Sequence, residues 1–333
     1  MGSSFWSGRE VLVTGAGGFI GSHLCETLAS QCARVTALIH YDTRADHANL
    51  EFLPAALRSQ IKVVAGDICD PFFMNSLVRG KDTVFHLAAL IAIPYSYVAP
   101  QSYVRTNMEG TINVLEACRA HGTRRMVHTS TSETYGTALY APIDEKHPLQ
   151  GQSPYSASKI GADKMAESYF RSFETPVVTL RPFNTYGPRQ SARAVIPTII
   201  SQVLGDKPEV KLGDLSPIRD LNYVVDTALA FLAVAEHDAC LGGTYNTGTG
   251  VGITVGDVAT KILSFLGSKK PIVEDRSRIR PAKSEVFKLI SNSNLLRETT
   301  GWKPAFDIDR GLQETIKYVQ ANLGRFRVGE YAV

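Results

Sequence analysis

A short apolar run, Val11-Leu12-Val13-Thr14, leads directly into Gly15-Ala16-Gly17-Gly18-Phe19-Ile20-Gly21. Glycines at i, i+3 and i+6, after a strand and at the opening of a helix, suit a dinucleotide pyrophosphate. Gly15 permits the tight turn, Gly18 lets the backbone approach the phosphates, and Gly21 lets the helix pack on the strand. The helix start adds free N–H donors and the positive end of its dipole. A merely tight glycine turn would contain such a triad too; the strand before it and the helix after it argue for the dinucleotide.

The pattern that follows extends this unit. Strands are expected at Glu10–Thr14, Arg34–His40, Ile61–Ala65, Thr83–Ala88, Arg125–Ser130 and Val177–Arg181, and helices at Phe19–Ser30, Pro71–Arg79, Tyr103–His121 and Tyr155–Phe173. Strands at this spacing, separated by helices, predict an α/β fold with a doubly wound parallel Rossmann sheet. After Arg181 prolines and glycines become frequent and the alternation weakens. Helices are expected at Thr254–Leu266, opened by Thr254 and Asp257 as a capping box, and at Asp309–Leu323. The division predicted is a Rossmann domain over 1–182, completed by about 221–250. A smaller C-terminal substrate-binding lobe takes 183–220 and 251–333, with a cleft between.

Composition excludes other classes. With 333 residues, 44% of them hydrophobic and 20% charged, the chain is ordinary globular protein. A net charge of +3 leaves no basic footprint for nucleic acid. The longest apolar stretch, around Val84 to Ile93, is about half the length of a bilayer span. No secretory signal is visible at the N-terminus. Five scattered cysteines without CxxC spacing read as reduced thiols of a cytoplasmic protein.

The second strand ends at Ile39 and His40, where an acidic residue would read an adenosine ribose. Asp42 follows, and Arg44 or His40 could instead take a 2′-phosphate, so the choice between NAD+ and NADP+ stays open. Asp67-Ile68, after the third strand, is positioned for the adenine.

Tyr155 and Lys159 stand at i and i+4, on one helix face. A neighbouring ammonium and a positive nicotinamide ring would both favour the phenolate, lowering the tyrosine pKa. Such a tyrosine takes the proton of an alcohol while the nicotinamide takes the hydride. Upstream, Thr129-Ser130-Thr131-Ser132-Glu133-Thr134-Tyr135-Gly136 closes the fifth strand, where ligands of open α/β sheets sit. There Thr131 can hydrogen-bond a substrate hydroxyl and Glu133 can act as a base. His86 and His128 read as packed histidines, and no HExxH or Cys/His cluster points to a metal.

These residues bring a resemblance into view. The chain resembles the extended short-chain dehydrogenase/reductases that modify nucleotide-activated sugars. It does so through TGAGGFIGSHL (from Thr14), GDICD (from Gly66), HLAA (from His86), TNMEGTINVLEACR (from Thr106), STSETYG (from Ser130), YSASK (from Tyr155), RPFNTYGPRQ (from Arg181) and RDLNYVVD (from Arg219). The resemblance implies a cofactor-binding set of Gly15, Gly18, Phe19, Ile20, Gly21, His40, Arg44, Asp67, Ile68, Leu87, Ala88, Ala89, Tyr155 and Lys159. Thr131-Ser132-Glu133 is similar to the triplet of 4,6-dehydratases such as GDP-mannose 4,6-dehydratases, and decarboxylases of UDP-glucuronate can carry it too. ALIAIPYSYVAPQSYV (from Ala89), SARAVIPTII (from Ser191), LGDLSPIRDLNYVVD (from Leu212) and RPAKSEV (from Arg280) look like N-acetylglucosamine-nucleotide 4,6-dehydratases of legionaminic-acid-type pathways.

What the resemblance implies is a 4,6-dehydratase converting UDP- or GDP-N-acetylglucosamine to the 4-keto-6-deoxy sugar nucleotide. Tyr155, with Lys159 and Thr131, oxidises C4; Glu133 removes the C5 proton; water leaves from C6 and hydride returns there. Glucose-type enzymes hold an aspartic acid at the position of Ser132, so the proton for the departing hydroxyl comes here from Glu133, Tyr155 or water. The diphosphate is expected at Asn184 and Arg219, with Arg189 and Arg280 as further candidates. A homodimer through the helices at Tyr103–His121 and Tyr155–Phe173 is the family's habit. Competing readings are a UDP-glucuronate decarboxylase, a 4-epimerase and, more remotely, a non-catalytic NAD(P)-sensing protein.

Overall fold

The computed structural model describes residues 5–42, 46–278 and 286–326. Its first half threads β1 (Glu10–Thr14), α1 (Phe19–Ser30), β2 (Arg34–His40), α2 (Ala55–Arg58), β3 (Lys62–Gly66), α3 (Pro71–Val78), β4 (Thr83–His86), α4 (Ile93–Val98), α5 (Pro100–Tyr103), α6 (Gly110–Ala120), β5 (Arg125–Thr129), α7 (Pro154–Phe173) and β6 (Val177–Pro182). Then come β7 (Asn184–Tyr186), α8 (Val195–Leu204), β8 (Val210–Leu212), β9 (Ile218–Tyr223), α9 (Val224–Glu236), β10 (Thr244–Thr247), β11 (Gly252–Thr254), α10 (Val255–Phe265), β12 (Ile272–Glu274), β13 (Lys288–Leu289), α11 (Asn294–Thr300) and α12 (Ile308–Ala321). The main sheet has seven strands in the order β10-β6-β5-β4-β1-β2-β3, every pair parallel. This is the doubly wound Rossmann sheet expected from the alternation.

Burial explains why these runs are strands. All six residues of β6 and four of the five in β1 are buried, as a parallel sheet covered on both faces requires. One face packs Leu24 and Leu28 of α1 with Phe231 of α9 and Trp6. The other packs Met74 and Val78 of α3 with Leu115 of α6 and Tyr169 of α7. A separate core joins Ile196 and Ile200 of α8, Ile262 of α10 and Leu312 and Ile316 of α12. Leu296 and Trp302 lie in the core around α1, although their segment was expected wholly in the smaller lobe. The Trp302 indole donates to the Asp226 carbonyl at 3.0 Å, tying the late chain to α9.

Local chemistry sets the helix starts. Ser153 and Ser156 form a reciprocal capping box, with Pro154 at the first position of α7. Asp70 caps α3 through the amides of Phe72 and Phe73. Thr254 caps α10 as expected, but Asp257 accepts from the Thr254 hydroxyl (2.6 Å) rather than from its amide.

The helix expected over Tyr103–His121 is interrupted. Residues Val104–Glu109 make a π-helical turn, which directs Asn107 into the core. Asn107 accepts from the Leu90 amide (2.9 Å) and donates to the Leu90 carbonyl (3.0 Å) and the Ser158 hydroxyl (2.9 Å). Strand β4 stops at His86 because the Leu87 and Ala88 amides turn to the Thr14 hydroxyl, each at 3.1 Å.

The glycine turn is sterically determined. Gly15 has φ +69°, and a Cβ there would lie 2.8 Å from the Ala88 nitrogen; one at Gly21 would lie 2.3 Å from the Gly15 carbonyl oxygen. Backbone surrounds both positions, so neither can yield by a side-chain rotation. Gly21→Ala is therefore expected to destabilise the protein by about 1–3 kcal/mol, read as a lowered midpoint in urea, together with loss of dinucleotide binding. An unchanged midpoint would contradict this packing.

Candidate active site

The expected catalytic groups converge at the carboxyl ends of β4 and β5. Thr131 opens a 3₁₀ turn, Ser132–Tyr135, and its side chain accepts from the Glu133 amide at 3.2 Å. The turn is held from below by the Thr134 hydroxyl, which donates to the Thr131 carbonyl at 2.7 Å. Ser132 is buried, while Glu133 is half-buried at the cleft. Across from them, α7 delivers Tyr155 and Lys159 from one face, 8% and 4% exposed. Tyr103 meets the Tyr155 ring edge-on, with 6.2 Å between centroids.

The electrostatics differ from the expectation in one respect. Burial pushes the Tyr155 phenol well up; a hydrogen bond with Thr131 acts downward, and the Glu133 and Asp163 charges act upward. Burial also pushes the Lys159 ammonium down to about 8, opposed by the Asp163 carboxylate. In the protein alone desolvation thus sets the direction for Tyr155, upward where the sequence led to an expected lowering. No group among the described residues accepts a hydrogen bond from the Lys159 ammonium. A buried cation in this position fits a polar ligand entering the cleft.

Sequence reasoning missed what lies beneath the pair. Asp163, one further turn along the same stripe, accepts from the Ser130 hydroxyl (2.6 Å), from His128 Nε2 (3.0 Å) and from Arg181 Nη2 (2.9 Å). Arg181 also donates to the Tyr135 hydroxyl at 3.0 Å, which donates onward to Asn246 Oδ1 at 2.7 Å. Two signals could have revealed this: the i+4 spacing of Tyr155, Lys159 and Asp163, and an arginine inside a strand buried throughout. His86 is a packed histidine, bonded to the Thr14 and Thr111 hydroxyls at 2.9 and 3.0 Å.

The residues fit a dinucleotide. Gly18 caps α1 with no side-chain bond, and the first turn contains no acidic residue, so these N–H groups face the cleft as an anion cradle. Phe19 and Ile20 are half-buried around it, and Leu87 and Ala88 lie against Gly15, with Ala89 next in the chain. At the adenosine side His40 is exposed and bonded to the Tyr41 carbonyl; Asp42 follows, also exposed, and Arg44 lies outside the described residues. Asp67 caps its own turn by accepting from the Cys69 amide at 2.9 Å. Ile68 is a core residue packed against Gly110, its carbonyl accepting from Asn113 at 3.0 Å.

The substrate candidates separate. Asn184 begins β7, which pairs with β9 (Asn184 opposite Leu221), and its Oδ1 is buried without a partner. Arg219 stands half-buried on β9, donating to the Ile218 carbonyl at 3.1 Å. Through Nη2, Arg189 pairs with Glu26 and donates to His23 Nδ1 at 2.8 Å, both on α1, so it clamps the loop after β7 to the cradle helix, while its Nη1 is buried without a hydrogen-bond partner. Arg280 lies outside the described residues. Among the described residues no group of His, Cys, Asp and Glu is arranged to hold a metal ion, and no helix is long and apolar enough to cross a membrane.

Comparison with known proteins agrees with this geometry. Residues 12–315 match the family described as GDP-mannose 4,6 dehydratase. The dTDP-glucose 4,6-dehydratase of Actinoplanes sp. is 33% identical, over 94% of this chain and 98% of its own length. The dTDP-glucose 4,6-dehydratase DesIV of Streptomyces venezuelae, solved with NAD bound, superposes with a TM-score of 0.86 at 28% identity, covering 96% of this chain and 99% of that one. A UDP-N-acetylglucosamine 4-epimerase of Methanobrevibacter ruminantium is equally similar, with a TM-score of 0.86 at 28% identity, covering 95% and 99%.

Burial of imidazoles makes the fold acid-sensitive. Desolvation, then the Arg189 charge, holds His23 at about 3; desolvation, then His128 and Lys159, holds His86 well below its ordinary value; His128 moves in the same direction. These rings stay neutral when folded, whereas the unfolded chain protonates them near pH 6.5. Stability therefore falls as pH drops below 6.5, by about 2 kcal/mol at pH 5 for each of His23 and His86. A melting temperature that declines from pH 7 to 5, with a shallower decline in His23→Gln, is expected. A flat profile would contradict the burial.

Proposed function

The chain belongs to the GDP-mannose 4,6-dehydratase family of extended short-chain dehydrogenase/reductases, and from that premise we propose that it converts UDP- or GDP-N-acetylglucosamine to the 4-keto-6-deoxy sugar nucleotide with NAD+ as resident cofactor. The observation that carries this reading is the half-buried Glu133 in the electrostatic neighbourhood of Tyr155. A 4-epimerase needs one base, the tyrosine; elimination of water across C5–C6 needs a second. NAD+ is supported by Asp42 following β2 and by the bound NAD of the Streptomyces relative. The amino sugar is supported by the resemblance of the segments from Ala89 and Ser191 to the N-acetylglucosamine-nucleotide enzymes.

The bound nicotinamide supplies the hydride acceptor for C4 and the donor for C6. Tyr155 accepts the proton of the C4 hydroxyl, aligned by the Thr131 hydroxyl, while Lys159 offsets the phenolate charge. The 4-ketone so formed acidifies C5, and Glu133 removes that proton. Ser132 is buried and a poor acid, so Glu133 itself returns the proton to the departing C6 hydroxyl, which leaves as water; once C6 has regained hydride, Glu133 passes a solvent proton to C5 while Tyr155 releases its own to solvent. Asn184 and Arg219 hold the diphosphate. The apolar side chains of Tyr97, Val98, Val104 and Phe173, exposed on α4, the π turn and α7, are where we place the contact of a homodimer.

Ser132 also favours a second reading, the UDP-glucuronate decarboxylase, which has no hydroxyl to protonate at C6. Mass spectrometry of UDP- and GDP-N-acetylglucosamine incubated with the protein in deuterated water separates the two. The expected product has lost one water and gained one deuterium at C5. Glu133→Gln should still bind NAD+ and oxidise C4 but slow water loss at least 10²-fold, and Tyr155→Phe should suppress oxidation itself. Unchanged sugar nucleotides alongside loss of carbon dioxide from UDP-glucuronate would replace the proposal.

A further inference from the structure

Tyr155, Lys159, Asp163, Glu167 and Arg171 follow one another at i+4 along α7, and within this stripe Asp163 is the most tightly held. Its carboxylate is 4% exposed and takes hydrogen bonds from two strands: Ser130 and His128 on β5 and its end, and Arg181 on β6 through Nε (3.2 Å) and Nη2 (2.9 Å). Every one of these donors fixes the charged form. We propose that Asp163 is a positioning residue, whose carboxylate, fixed by β5 and β6 one turn beyond Lys159 on the same buried face of α7, is the counter-charge that keeps the Lys159 side chain an ammonium.

The other charges around it leave this role to Asp163. His128 is stacked on His86, with 6.0 Å between centroids, and both rings are neutral. Arg181 is bound to Asp163 and Tyr135. Glu145, half-buried, accepts from the Asn246 amide at 2.7 Å. Asp163 and Arg181 also line an open cavity of about 440 Å³ with Glu145, His147, Lys164 and Glu167. There Glu167 is paired with Lys164 at 2.8 Å and Arg171 at 2.9 Å. Glu133 lies on the Tyr155 side. The buried fixed charges, Lys159, Arg181 and Asp163, sum to +1, which ionisation of Tyr155 brings to zero. Without Asp163 the same volume would contain two unopposed cations, and Lys159, lacking a hydrogen-bond acceptor of its own, is the one able to lose its proton. In agreement, burial presses the Lys159 ammonium down and Asp163 acts against it.

The inference rests on the role given to Tyr155 and Lys159 above, yet its test needs no substrate, so its failure is distinguishable from failure of the dehydratase reading. The ε-carbon resonance of Lys159 in ¹³C-lysine-labelled protein, identified by its absence in Lys159→Arg, is titrated by NMR with and without NAD+. Asp163→Asn is expected to lower the Lys159 midpoint by about one pH unit or more. Ser130→Ala, which removes one hydrogen bond and keeps the charge, should leave it within a few tenths of a unit. If Asp163→Asn does not fold, Arg181→Gln replaces it: removing the cation that faces Asp163 should raise the midpoint. A midpoint unmoved in Asp163→Asn, or lowered in Arg181→Gln, overturns the proposal; a purely structural Asp163 would alter stability and leave the titration where it was.

Discussion

The carboxylate of Asp163 is the constraint on which the site depends, because it joins α7 to β5 and β6 at once. Tyr155 meets the Thr131 side chain at the end of β5, but the placement of both Tyr155 and Lys159 is inherited from where α7 is pinned. The pinning is costly to break. A buried ion pair adds little over well-packed apolar residues, but removal of one partner strands the other charge at about 3–5 kcal/mol. Asp163, held at about 2 by its partners despite burial, therefore couples the stability of the fold to the geometry of the reaction. Asn107 does the same from the opposite side, joining the π turn to Leu90 and to Ser158 of α7.

Much of this was legible in the chain. The glycine triad predicted a turn whose steric reason the structure supplies, and short apolar runs alternating with helical stretches located six parallel strands within a residue or two. Thr131, Glu133 and Tyr155 converge because each sits at an element boundary that local chemistry determines, a strand end, a 3₁₀ turn and a capped helix, and Lys159 follows Tyr155 one turn along α7. What escaped notice were interactions between residues distant in sequence. Nothing in the motif around Arg189 announces that Glu26, 163 residues away, pairs with its Nη2. The π turn is invisible to periodicity, since one inserted residue hardly perturbs the apolar stripe while reorienting Asn107. Trp302 followed the same rule, its place in the large core depending on α9.

The arrangement also explains how closely related activities share one scaffold. Dinucleotide cradle, tyrosine and lysine perform the common opening step, oxidation at C4, and the fate of the ketone is left to the few groups near C5 and C6. In the proposed reading those groups are Glu133, a carboxylate able to take and return a proton, and Ser132, which is not an acid. One carboxylate acting twice in a single elimination is chemically sufficient, provided hydride returns to C6 within the same active-site complex.

That return is the central claim, and an N-acetylglucosamine nucleotide carrying deuterium at C4 tests it most directly. The account predicts that NMR of the product finds the deuterium on the C6 methyl group, transferred within one molecule, with no label released to solvent. Deuterium retained at C4 in an epimerised or unchanged sugar would contradict it, and would mean that Glu133 is not a base for elimination.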